Sequence, residues 1–106
     1  MNESYEPLTD TWSQRQPLPT ARSGMTSQVL KGKIFVLGGE SGRGTFKTNE
    51  AYNPTTNIWK VMKPMLGGHH RLGSTVIEDK IHILTGGPNP GGGGSNIHEV
   101  YSLKPF

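Results

Sequence analysis

The chain of 106 residues has no cysteine, so disulfides, thiolate metal sites and thiol nucleophiles are all excluded. Long hydrophobic runs are missing too. The longest, residues 34–37, is far too short to cross a bilayer, and no membrane partner is implied. Charge of one sign is not concentrated anywhere. Eleven Lys and Arg against eight Asp and Glu leave a net charge of +3. Lys31, Lys33, Lys47, Lys60, Lys63 and Lys80 are scattered and form no block to track a phosphate backbone, so nucleic acid is not an expected partner. Met1 is followed by polar Asn2, Glu3 and Ser4, which offers no basic start leading into an apolar stretch. No compartment is selected. Asn2-Glu3-Ser4 is formally a glycosylation sequon, too short a match to carry weight.

What is plentiful is the material of turns. Fifteen Gly and eight Pro, with only 31% hydrophobic residues, argue for short segments joined by tight turns rather than long helices. Two Trp, three Tyr and three Phe supply enough aromatic mass for a packed fold.

The decisive feature is an internal repeat. Displaced by 47 positions, residues 2–39 fall on 49–86 without a gap, giving 13 identities in 38 positions. Chance would give roughly two or three. Asn2 falls on Asn49, Glu3 on Glu50, Tyr5 on Tyr52, Trp12 on Trp59, Ile34 on Ile81 and Gly39 on Gly86. Glu99-Val100-Tyr101 begins a third copy, two residues late because the glycine loop of residues 91–94 is longer.

Each unit reads as four strands. The first covers residues 25–30 and again 72–77, with alternating polarity. A two-residue step, Lys31-Gly32 or Glu78-Asp79, suits a tight hairpin, with Gly32 supplying a positive φ. The second strand, residues 34–37, is apolar at every position and is expected to be buried on both faces. The third carries Glu50-Ala51-Tyr52 and ends at Asn53-Pro54-Thr55-Thr56-Asn57, where proline pre-sets φ and Asn57 tolerates the left-handed region. The fourth starts at Trp12 or Trp59 and stops before Pro17 or Pro64. Four locally joined strands form a twisted antiparallel sheet whose apolar faces only similar neighbours can cover, the logic of a β-propeller.

The diglycine closing an apolar strand (Gly38-Gly39), then Tyr52 and Trp59, found again around Tyr5, Trp12, Gly86, Gly87 and Tyr101, resembles the kelch repeat. The resemblance covers nearly the whole chain. It departs in the second copy, where Thr85 stands in place of Gly38 and the pair moves to Gly86-Gly87. The tail from Gly87-Pro88-Asn89-Pro90-Gly91 to Tyr101 looks like the last blade of prokaryotic kelch-containing proteins. The resemblance implies an all-β fold of kelch propeller blades, with the Tyr and Trp packed between blades and the glycines permitting close strand approach. The phase expects about two and a quarter blades: a partial blade over 1–19, a full one over 20–66, and a last one over 67–106 lacking its fourth strand. Propellers close with about four to eight blades, so this propeller is incomplete, either a piece of a longer one or a ring completed by self-association.

Catalytic constellations are not visible. His69 and His70 are adjacent and would point oppositely on a strand; His82 stands where the first copy has Phe35 and reads as a packed aromatic; His98 precedes Glu99. No pair has chelating spacing within one element, so no metal and no cofactor is expected. Gly39-Glu40-Ser41-Gly42-Arg43-Gly44 has the glycines of a phosphate loop, but Thr45 replaces its Lys and no helix follows, leaving a flexible inter-strand loop. The copper-radical oxidases of the galactose oxidase group share the repeat, yet their cross-linked Tyr needs a Cys that this chain lacks. A kelch-type sugar epimerase, such as an N-acetylneuraminate epimerase, has no residue here to single it out.

Surface recognition remains, and the chain is expected not to be an enzyme. In kelch-like adaptors, ligand contacts come from the loop entering the first strand and from residues just after the diglycine. On matching positions these are Arg22 and Ser23, His70 and Arg71, Glu40 and Asn89. Arg suits such anchors because its planar fork pairs with carboxylates and stacks on aromatics, although Arg22 could instead pair with a neighbouring blade. The expected function is thus a non-catalytic module that presents loops to a protein partner. The alternative is part of a carbohydrate-binding or carbohydrate-active propeller, for which Phe46 is the rim aromatic to watch.

Overall fold

The computed structural model describes residues 1–42, 44–68, 72–84 and 98–103. Among them there are eleven strands and no helix, so none long and apolar enough to cross a membrane. The first sheet pairs β1 (Asn2–Glu6) with β2 (Thr11–Arg15). The central sheet has the order β3 (Thr26–Leu30), β4 (Lys33–Leu37), β7 (Asn49–Asn53), β8 (Ile58–Val61), all antiparallel. The last sheet is β9 (Gly73–Ile77), β10 (Lys80–Leu84), β11 (His98–Ser102), with β10 in the middle. A small hairpin, β5 (Glu40–Ser41) with β6 (Gly44–Thr45), stands apart.

The turns follow from residue chemistry. Lys31 and Gly32 have φ of 50° and 75°, Glu78 and Asp79 of 51° and 61°. Positive φ at both central residues is the type I′ geometry whose twist matches flanking strands. Asp10 and Asn57 close the turns after the third strands at φ 53° and 58°. Each accepts the hydroxyl proton of the repeat's tyrosine: Tyr5 donates to Asp10 at 2.7 Å and Tyr52 to Asn57 at 2.8 Å. Tyr5–Trp12 and Tyr52–Trp59 are cross-strand partners in matching register, with ring centroids 5.0 Å apart in both. Asn2 and Asn49 also play one part twice, donating to the carbonyls of Gln16 and Lys63 at 3.0 Å, just beyond the fourth strands.

The core lies between the central and last sheets. Leu30, Phe35, Leu37 and Ala51 pack against Leu72, Ile81 and Ile83, with Met65 at the edge. Phe35 stacks obliquely on Tyr101 at 5.7 Å. Burial there raises the Tyr101 phenol above its ordinary value, opposed by a weaker hydrogen bond from Asn49. At the inner strands, Gln28 donates to the Ser74 carbonyl and hydroxyl at 3.0 Å, satisfying polar groups at the contact.

The first hairpin sits differently. It meets the central sheet chiefly through Arg15 and Gln16: Arg15 donates to the Tyr52 hydroxyl at 2.9 Å and the Trp59 indole donates to the Gln16 carbonyl at 2.8 Å. Tyr52 and Trp59 thus lie between sheets, as the repeat implied, whereas Tyr5 and Trp12 are 45% and 66% exposed. Two strands cannot cover four. The expected two-sided burial of the second strand therefore holds for Phe35, Val36 and Leu37 but not for Ile34, which is 37% exposed on the face toward the first hairpin.

Candidate functional site

Of the candidate ligand residues, the sequence places Arg22, Ser23 and Glu40 at one end of the central sheet, where the loop entering β3 meets the segment after Gly38-Gly39. The structure brings these segments together. Ser23 and Glu40 form an isolated antiparallel bridge, with the Ser23 amide donating to Glu40 at 3.0 Å and the Glu40 amide to Ser23 at 2.7 Å. Gly39 makes that bridge possible. It has φ of 108°, and a Cβ there would lie 2.7 Å from the Ser23 carbonyl oxygen. Gly39→Ala should therefore destabilise the chain by more than about 2 kcal/mol, read as a shift in urea midpoint. By contrast Gly32→Ala, at φ 75° with open space around it, should cost only about 1 kcal/mol.

Arg22 does not reach the rim, which corrects its expected role as an exposed anchor. Its side chain is fully buried inside its own sheet. Nη1 pairs with Glu50 Oε1 at 2.6 Å and also donates to the Thr20 carbonyl at 3.2 Å. Nε donates to the Gly38 carbonyl at 2.5 Å and Nη2 to the Val36 carbonyl at 2.8 Å. The second Glu50 oxygen accepts from the Thr20 hydroxyl at 3.0 Å. A buried charge needs such complete pairing. Arg22 therefore holds the entering loop against the ends of β4 and β7, and its partner belongs to the same sheet, not to a neighbour.

Glu50 is the residue that reasoning from sequence undervalued. The signal was present, because Glu3, Glu50 and Glu99 recur in one phase, two residues before the repeat's tyrosine. Glu99 anchors the next entering loop by another route, accepting from the Leu66 amide at 2.7 Å and the Gly67 amide at 3.2 Å. At Glu50 and Glu99 the recurring acid anchors an entering loop.

The loop after the diglycine is ordered into the β5–β6 hairpin, a correction to the flexible loop expected there. Backbone bonds from Gly38 to Thr48 and from Phe46 to Gly39, both 2.9 Å, close its base. Gly68 packs directly on Thr45, where a Cβ would meet the threonine hydroxyl at 2.5 Å, so adjacent loops touch. Ser23 and Gly42 are exposed on this ledge, and Glu40 and Ser41 are half-buried. His70, Arg71 and Asn89, together with Gly86 and Gly87, lie outside the described residues.

Among the described residues no three His, Asp or Glu side chains converge on a possible metal position. Two histidines do meet. His82 and His98, separated by 16 positions, approach to 3.0 Å across β10 and β11. His82 is thus paired with a second imidazole instead of being packed away like Phe35.

The geometry matches known proteins at two levels. The family model of the Kelch motif matches residues 21–66, the central sheet with its entering loop. The solved structure of YjhT is similar with a TM-score of 0.65 and 24% identity, over 72% of this chain and 24% of that one. The chain thus spans about a quarter of that structure's length. No curated protein sequence matches it. The chain thus carries a kelch motif over residues 21–66, in its central sheet, and its all-β sheets have the fold of blades of an incomplete propeller.

Proposed function

We propose that this chain is a non-catalytic kelch-repeat module that presents its inter-strand loops to a protein partner. The observation that carries the reading is the ledge at residues 23, 40–42, 44 and 45. Arg22 and Glu50 lock the entering loop from inside, and the Ser23–Glu40 bridge ties it to the post-diglycine hairpin. Two loops are thereby held as one pre-organised surface, which lowers the ordering cost of binding. Arg22 and Glu50, the charged pair beneath the ledge, are consumed by each other and by backbone, an arrangement for holding shape more than for proton transfer. The carbohydrate alternative needs an aromatic platform on the rim. Phe46, its candidate, is half-buried at the base of the hairpin.

The test is interaction capture with a rim variant. Gly42 has open space where a side chain would go, and Ser23 is exposed, so Ser23→Arg with Gly42→Arg changes the ledge without strain. Recovery of a cross-linked protein partner should fall at least about tenfold. Thr55→Arg, exposed in the turn at the opposite end of the sheet, should leave it intact. Equal recovery from both variants would remove the ledge from consideration.

A further inference from the structure

The outer face of the last sheet carries an unassigned feature. His82 on β10 and His98 on β11 are diagonal neighbours, because Leu84 pairs with His98 and His82 with Val100. All four side chains therefore lie on one face, opposite the Ile81 and Ile83 face that packs on the central sheet. His82 Nδ1 and His98 Nε2 point at each other across 3.0 Å, with ring centroids 5.2 Å apart. In the central sheet the matching positions hold Phe35 and Asn49, a packed ring and an amide bonded to Lys63. Both positions become imidazole in the last sheet, and the two rings meet through their nitrogens.

We propose that His82 and His98 form a two-imidazole site for a divalent transition-metal ion of tetragonal preference, best represented by Cu2+. With each ring turned slightly from its partner toward the ion, ligand nitrogens about 2.0–2.1 Å from it and 3.0 Å from each other subtend about 91–97° at it. That is the cis angle of a square-planar or tetragonal site, whereas a tetrahedral ion would need nitrogens about 3.3 Å apart. Imidazole is a preferred ligand for Cu2+, which also stands highest in the divalent affinity order. Both rings bind as neutral ligands. The single proton that lies between the facing nitrogens in the metal-free pair moves to the far nitrogen of its own ring. Water completes the coordination, with the Thr75 hydroxyl on the same face, opposite His82. No carboxylate belongs to this face of the three strands, whose one charged residue is Lys80, so the imidazoles alone supply the affinity.

The internal repeat supplies conservative variants. His82→Phe and His98→Asn install the residues that the central sheet uses at the same register, so each should keep the fold, checked by far-ultraviolet circular dichroism. The 106-residue chain is titrated with Cu2+ in competition with glycine, and the bound ion is examined by electron paramagnetic resonance. One ion per chain, nitrogen splitting from two imidazoles, and binding weakened at least about tenfold in each variant are expected. Absence of two-nitrogen splitting in the parent chain would overturn the proposal. So would binding unchanged in either variant, which would place the ion at other groups such as His69, His70 or the chain's amino terminus.

Discussion

Glu50→Ala is expected to destabilise the chain by about 3–5 kcal/mol, the cost of leaving a buried guanidinium without its counter-charge. A small domain has only about 5–10 kcal/mol in total, so the variant should be largely unfolded at physiological temperature. The reason lies in what Arg22 cannot do. Its side chain is fully buried, and its three carbonyl acceptors neutralise no charge. Glu50→Gln keeps an acceptor for Thr20 and Arg22 and should cost less than Glu50→Ala. The double replacement Arg22→Met with Glu50→Leu removes both charges but leaves the carbonyls of Gly38 and Val36 without their donor, so it should fall between wild type and Glu50→Ala. Urea unfolding followed by tryptophan fluorescence ranks the series. A Glu50→Ala loss below about 1 kcal/mol would mean the Arg22–Glu50 pair is not what holds the entering loop.

Phe35→Ala should cost a similar amount, about 3–5 kcal/mol, for a different reason. Phe35 is completely buried between the central and last sheets and stacks on Tyr101. Its removal opens a cavity in the one interface that holds most of the core. The two variants should fail in different places. Phe35→Ala is expected to release the last sheet first, so amides of β9 to β11 should lose hydrogen-exchange protection ahead of those around Ser23 and Glu40. Glu50→Ala should expose the ledge before the interface. Simultaneous loss throughout in both variants would show that ledge and interface form one cooperative unit.

The first hairpin bears on both measurements. Its strands are almost wholly exposed and it is tied to the central sheet mainly by Arg15, Gln16 and the Trp59 indole. It contributes no member to the central core. Trp12 fluorescence should therefore report an environment little changed by either substitution, and Trp59 should carry the signal.

Much was legible from sequence because it depends on neighbours along the chain. Positive φ at Gly32, Asp79, Asp10 and Asn57 is a matter of which residues tolerate that region in a tight turn, whereas Lys31 and Glu78 adopt it because the two-residue turn requires it at both positions. The Tyr–Trp pairs follow from strand length and turn length, which fix register between adjacent strands. The 47-residue period declared the unit, and with it the four-stranded sheet and the need for stacked neighbours.

Only the tertiary structure decided where side chains with more than one use would go. Arg22 could have met a ligand, a neighbouring sheet or its own; burial against Glu50 selected the last, because a long side chain can satisfy its charge wherever the fold brings an acid. The His82–His98 contact was invisible to spacing, since it spans two strands whose register depends on a loop of different length from its counterpart. Ile34 reads like its apolar neighbours in β4 and yet is exposed, because burial belongs to whatever covers a face and the two-stranded first sheet leaves that stretch open. Local backbone chemistry therefore determined the units and their turns, while packing between units determined which charged and imidazole side chains became structure and which remained available.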